Sequence, residues 1–197
     1  MPLSPARQAA YRILRRVESG SSYAVDLLQH PQIYAMKEVD RRLTTELVMG
    51  VLRWGGELDY WIEHLSGKPL RYFDPEITTI LRMGIYQLRF LEKIPKSAVV
   101  NESVELVKAV RKRSAAGLVN AVLRKCQRPA VPPRSAAAGQ PSATFLDAAL
   151  RSLPNWLGER WEKHLGAEAA KALAWASATV PPTTLRVAAP GKSREEI

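Results

Sequence analysis

The chain has 197 residues, enough for one domain with a real core plus an extension, or for two small domains. Its 29 Lys and Arg against 19 Asp and Glu leave a formal charge of +10, an excess that favours a polyanionic partner, nucleic acid foremost. A single cysteine excludes an internal disulfide and a multi-cysteine metal site, three scattered histidines argue against zinc, and no apolar run reaches the roughly 18 residues that span a bilayer. Arginines interrupt the N-terminal stretch MPLSPARQAAYRILRRVES, so no signal-peptide core forms there and a cytoplasmic protein without a membrane partner is expected.

Apolar residues at steps of three and four predict an all-α protein. Ser4 and Pro5 open a first helix whose buried stripe is Ala6, Ala10, Ile13, Leu14 and Val17, with Gln8, Arg12, Arg15 and Arg16 on the far side. Gly20 and Ser21 end it. A short helix over Tyr23 to Leu28 is broken by His30-Pro31. Asp40 to Trp54 is apolar over most of its circumference, which predicts a central helix, and Gly50 predicts a close neighbour there. Gly55-Gly56 reads as a joint before a helix carrying Leu58, Trp61, Ile62 and Leu65.

The stretch from Asp74 to Leu91 is the strongest helix. Asp74 suits an N-cap and Pro75 the first helical position, where its missing N–H costs nothing. Ile77, Ile80, Leu81, Gly84, Ile85, Leu88 and Leu91 share one face, and Arg82 and Arg89 are expected to point outward from the other. Ser97 can cap the next helix, with Val100, Val104 and Val107 inside and Glu102, Glu105 and Lys108 outside, ending in Arg111-Lys112-Arg113. Ser114 can cap a last helix with Leu118, Val119, Val122, Leu123 and Cys126 apolar and Arg124, Lys125 and Arg128 at its end. The expected bundle thus has about seven helices over residues 1–128.

Pro, Ala and Ser without periodicity mark residues 129–143 as a linker. A second unit, 144–197, is expected to hold two helices, Pro154 to Leu165 and Glu168 to Ala178, and then a strand over Thr183 to Val187. SREEI at the end looks like the opening of another helix, which suggests a truncated second domain.

Catalytic patterns are missing: no phosphate-binding glycine loop, no HExxH, no nucleophile elbow. Cys126, on an apolar helix face, reads as a buried structural thiol rather than a nucleophile. Positive charge instead comes in sets that can grip phosphates with little sequence information. One is Arg7, Arg12, Arg15 and Arg16; another is Arg111, Lys112, Arg113, Arg124, Lys125 and Arg128; Arg82 and Arg89 complete the candidate RNA contacts. Cations at helix C-termini also complement the helix dipole, which is the plain structural alternative.

The stretches AAYRILRRVESGSSYAVDLL, DRRLTTELVMGVLRWGGELDYWI, ILRMGIYQLRFLEKIP, AVVNESVELVKAV and GLVNAVLRK together resemble the NusB-like domain at the start of bacterial small-subunit ribosomal RNA cytosine-C5 methyltransferases (the RsmB, Sun or Fmu family). LPNWLGERWEKHLG followed by PPTTLRV is similar to the segment that joins this domain to the catalytic part. The resemblance implies ribosomal RNA binding by the bundle, with a second copy or a small protein as further partners. It also implies S-adenosylmethionine as cofactor and a two-cysteine methyl transfer in the full-length enzymes. Neither cysteine motif nor cofactor loop is present here, so no catalytic or cofactor residue carries over and the chain alone is expected to be inactive. The alternative is an antitermination RNA-binding module of the NusB type without catalysis.

Overall fold

The computed structural model describes residues 3–127 and 143–180. Over these residues the chain forms eleven α-helices: α1 (Pro5–Glu18), α2 (Ala24–Leu28), α3 (Pro31–Tyr34), α4 (Glu38–Arg53), α5 (Gly55–Ser66), α6 (Pro75–Phe90), α7 (Lys96–Ala109), α8 (Ala116–Lys125), α9 (Ala143–Arg151), α10 (Asn155–Leu165) and α11 (Ala167–Ala178). Single 3-10 turns lie at Leu70–Tyr72 and Arg113–Ala115. The all-α expectation holds, and no described helix is long and apolar enough to cross a membrane.

Helix α6 is the axis of the bundle. It touches α1, α4, α5, α7 and α8, and 13 of its 16 residues are buried. The apolar face read from sequence is therefore only part of its contact surface. Helix α4 lies against α1, α2, α5 and α6, as its wide apolar surface led us to expect, and leaves Leu52 exposed on its remaining side. Gly50 does admit a neighbour, as its sequence suggested. The ring of Tyr86 fills the space a Cβ would take, at 2.0 Å from that position.

Local starts and stops differ in instructive ways. Gly55 and Gly56 form the first turn of α5 rather than a joint, with Trp54 ending α4 and opening α5. Pro31 begins the one-turn α3 instead of only breaking α2, since a proline without an N–H fits a first helical turn. Ser4 caps nothing with its hydroxyl. Its backbone N–H instead donates to Glu102 Oε2 at 3.0 Å, tying α1 to α7. Ser97 falls inside the first turn of α7, and Ser114 inside the 3-10 turn before α8.

Three helices, not two, follow the proline-rich segment. The stretch ATFLDAALR makes α9, which the alanine-rich composition hid at the end of the expected linker. Most of that linker, Arg128 and the expected strand over Thr183 to Val187 lie outside the described residues. Helices α9 and α11 pack together, and α9 seats on α5. Gly56 makes this seat possible: a Cβ there would stand 1.9 Å from the Arg151 carbonyl oxygen. Beside it the Glu57 carboxylate, 3% exposed as a residue, accepts from Arg151 Nε at 2.9 Å and from Trp61 Nε1 at 2.7 Å. The Arg151 guanidinium also lies 4.7 Å from the ring centroid of Tyr60. Trp175 of α11 completes the contact, with ring centroids 6.2 Å from Trp54 and from Phe145.

Gly56→Ala should force α9 off this seat and cost about 1–3 kcal/mol, as overpacking of a close contact does. Urea unfolding followed by tryptophan fluorescence measures it. Gly55→Ala, where nothing lies within 4 Å of the added methyl, should cost far less.

Candidate nucleic-acid interface

The twelve basic residues singled out by sequence divide by what surrounds them. Arg7 turns inward. Its Nε donates to Gln87 Oε1 at 2.8 Å and its Nη1 to Glu102 Oε1 at 3.0 Å, and the residue is 8% exposed. Burial lowers its affinity for the proton, with Glu102 opposing. Gln87 Nε2 passes the chain on to the Met83 carbonyl, so α1, α6 and α7 meet in one satisfied polar cluster. Glu102, expected on the solvated side of α7, is a partner in this cluster.

Arg82 and Arg89 are not outward charges. Arg82 forms a two-pronged pair with Asp59, Nε to Oδ1 at 2.6 Å and Nη2 to Oδ2 at 2.7 Å, and a third bond to Glu18 at 2.8 Å. Burial acts to lower its pKa, but Asp59 and Glu18 together raise it. Arg89 is buried with its guanidinium carbon 3.8 Å from the ring centroid of Trp61. Helical spacing put both on the polar side of α6 correctly, but α5 covers that side. Arg15 is held by Glu18 at 2.6 Å and Lys112 by Asp74 at 2.8 Å.

Six remain with no carboxylate partner among the described residues. Arg12 reaches Gln8, and Arg16 reaches Ser22 at 3.0 Å. Arg111 and Arg113 are exposed in the α7–α8 turn. Arg124 bonds Asn120, and Lys125 approaches the Leu65 carbonyl at 3.4 Å. Arg128 lies outside the described residues. The two cationic ends of the last helices do not coincide. Antiparallel α7 and α8 put Arg111–Arg113 at one end and Arg124–Lys125 at the other, about 20 Å apart for a 14-residue helix. The turn after α7 comes near α1 at Tyr11, in a setting of both charges: its phenol is pushed up by burial, pulled down by Arg15 and Lys112, and pushed up again by Glu76 and Glu18. The role of dipole partner at the end of α8 falls to Lys96, whose ammonium donates to the carbonyls of Arg124 and Cys126 at 2.8 Å each.

On its other flank α1 borders a groove of about 520 Å³, closed by α2 and α3, with Arg12, Arg16, His30 and Gln32 in its lining and Ile13, Leu27 and Ile33 in its floor. Arg111 adopts φ +63°, a left-handed conformation that favours glycine. Its N–H bonds the Lys108 carbonyl while Lys112 N–H bonds that of Val107, a helix-ending motif where glycine would be cheaper. Cys126 is 1% exposed, and burial raises its thiol pKa against the pull of Arg89 and Lys96. A thiol kept protonated and covered is no nucleophile. No cluster of metal-ligating side chains occurs among the described residues.

Together these features define a basic all-helical bundle with exposed arginines on several helices and a small helical unit fixed to its side. The NusB family profile matches residues 4–128, and the chain belongs to that family. It is 35% identical, over 98% of its length, to the probable ribosomal RNA small subunit methyltransferase B of Synechocystis, and 32% identical, over 95%, to that of Bacillus subtilis. It covers only 43% and 41% of those proteins, so it spans about two-fifths of the relatives it matches. Among solved structures, a chain in "Crystal Structure of a Plectonemic RNA Supercoil" matches with TM-score 0.56 and 26% identity, over 61% of this chain and 90% of that one. Thermotoga maritima NusB shares the fold, with TM-score 0.58 and 18% identity over 66% of this chain and 94% of its own.

Arg7→Ala should destabilise the fold by about 1.5–3 kcal/mol, because Gln87 and Glu102 lose a charged donor in a covered site. Chemical denaturation checks this. Reaction of the native protein with a thiol reagent should be slow at neutral pH and become fast only in denaturant.

Proposed function

We propose that this chain is the RNA-recognition portion of an S-adenosylmethionine-dependent small-subunit ribosomal RNA cytosine-C5 methyltransferase. One observation carries the reading: Arg12 and Arg16 on α1 and Arg111 and Arg113 in the α7–α8 turn have no acidic partner among the described residues, while Arg7 and Arg82 are held inside by Glu102 and Asp59. Guanidinium groups set free in this way fit phosphate oxygens and fix an RNA strand without reading its bases. The relatives named as methyltransferases align beyond residue 128 as well, which favours this reading over a free-standing antitermination module. Residues 1–128 would then be the RNA-binding domain and 144–197 the start of the methyltransferase part, with 129–143 between them. Methyl transfer and cofactor binding would belong to the rest of such an enzyme. Arg15 and Lys112, each sharing a carboxylate, would contribute less, and Arg124 and Lys125 would touch only an RNA long enough to reach the other end of α7.

Helical ribosomal RNA fragments should bind with an affinity that falls about 100-fold between about 50 and 200 mM salt, the slope for some four phosphate contacts. Arg12→Glu with Arg16→Glu should weaken binding and cut that dependence to about tenfold in a filter-binding titration, as loss of two of the four contacts requires, and unchanged affinity would refute the assignment. Arg111→Gly separates binding from folding: stability should rise by up to about 1 kcal/mol as left-handed strain is relieved. RNA affinity should drop in the same variant. Calorimetry with S-adenosylmethionine should show no binding to the chain alone, and micromolar affinity would contradict the proposed division of labour.

A further inference from the structure

A second arginine-lined groove lies on the other side of α2 and α3. It is about 630 Å³ in volume, and Arg41, Arg42 and Arg53 reach it from α4 while Tyr34 closes it at the end of α3. Leu28 and Met49 supply an apolar floor. None of these arginines was singled out by sequence, because Arg41 and Arg42 make a run of only two and Arg53 follows eleven residues later.

The α4 groove carries a solvent-exposed tyrosine ring. Tyr34 is 60% exposed, and the Arg41 guanidinium carbon lies 5.8 Å from its ring centroid. An exposed ring beside a planar cation, over an apolar floor, is what an unstacked nucleobase needs on one side and its phosphate on the other. Arg41 and Arg53 have no carboxylate partner among the described residues. Arg42 pairs with Glu38, but both side chains are mostly in solvent, and such a pair yields readily to a phosphate. The one acid in the lining, Glu46, accepts from the Tyr86 hydroxyl at 2.8 Å through Oε1. Val180, where α11 has ended, forms the far wall.

Together the two grooves flank α2 and α3 as a ridge. Arg12 and Arg16 stand on one side, Arg41 and Arg53 on the other. Exposed Tyr23 and Tyr34 mark the two ends of the ridge, and Tyr23 follows Ser22, to which Arg16 donates.

We infer that the α4 groove holds an unpaired nucleotide of the RNA whose helical part lies on the α1 face, and so leads a single strand across the α2–α3 ridge toward Val180. This inference rests on the RNA-binding reading above and deepens it by naming a single-stranded segment as part of the ligand. Base and phosphate are recognised by different groups: the ring of Tyr34 takes the base, and Arg41 and Arg53 take the flanking phosphates.

The test compares an RNA hairpin carrying a short uridine tail with the same hairpin cut blunt. The variants are Tyr34→Ala alone and Tyr34→Ala, Arg41→Ala, Arg53→Ala combined. Circular dichroism first establishes that each is folded, which substitution of exposed and half-buried surface residues should permit. The combined variant should lose about tenfold in affinity for the tailed hairpin, the scale of one stacked base and its contacts, and keep its affinity for the blunt one. Thiouridine in the tail should crosslink to the tryptic peptide that contains Tyr34. Equal affinity of wild type and variant for the tailed hairpin, or equal losses on both RNAs, would overturn the groove assignment while leaving RNA binding by α1 intact. Failure of wild type to bind either RNA would remove the parent reading and this one with it. Arg12→Glu with Arg16→Glu, expected to weaken both RNAs, keeps those two failures distinguishable.

Discussion

A helix enclosed on every side has to satisfy its own polar groups inside the protein, and α6 imposes that constraint on the rest of the molecule. Gln87, Arg89, Thr78 and Thr79 all lie within its buried surface. Arg7 and Glu102 are drawn in from α1 and α7 to serve Gln87, and Glu18 is drawn in to serve Thr79. The same Glu18 holds Arg82 and Arg15. No buried side-chain nitrogen or oxygen among the described residues is left without a partner. Loss of any one member strands the others in a poorly hydrated interior, which is why such clusters are unforgiving.

This internal demand sorts the arginines. Acids are fewer than bases, and several are spent on the interior, so a remainder of guanidinium groups necessarily stands in solvent. On α1 the sorting follows the helical period: Arg7 faces α6 while Arg12 and Arg16 face away. The solvent-facing remainder is therefore a by-product of how the core is neutralised, and it is spread over α1, α4, the turn after α7 and the end of α8.

The helical unit after the proline-rich segment does not hang free of the bundle. Gly56 lets the Arg151 carbonyl approach α5, and the Glu57–Arg151 pair and the Trp54–Trp175 contact close over it. A partly covered ion pair adds little net stability but resists sliding, because a displaced Glu57 would be left unpaired and buried. The orientation of α9 to α11 is thus set by the bundle. Whatever lies on the bundle is held at a fixed place relative to these three helices.

Much of this was legible in the residues themselves. Apolar spacing located α1, α4, α6, α7, α8, α10 and α11 within a few residues, because a face buried against any neighbour leaves the same three-and-four signature. Gly50 announced its close contact. Helix α9 escaped because short alanine-rich stretches resemble the linker before them. What spacing could not tell is which polar face is covered and by what. Arg82 and Arg89 stand on the polar side of α6 as read, yet Asp59 and Trp61 of α5 meet them there. Arg124 and Lys125 follow Arg111 closely in sequence but sit a helix length away, because the chain reverses between them. Local periodicity determined the helices and their inner faces; only the tertiary arrangement decided which charges remained for a partner, since a covering helix comes from a distant part of the chain and leaves no mark on the segment it covers.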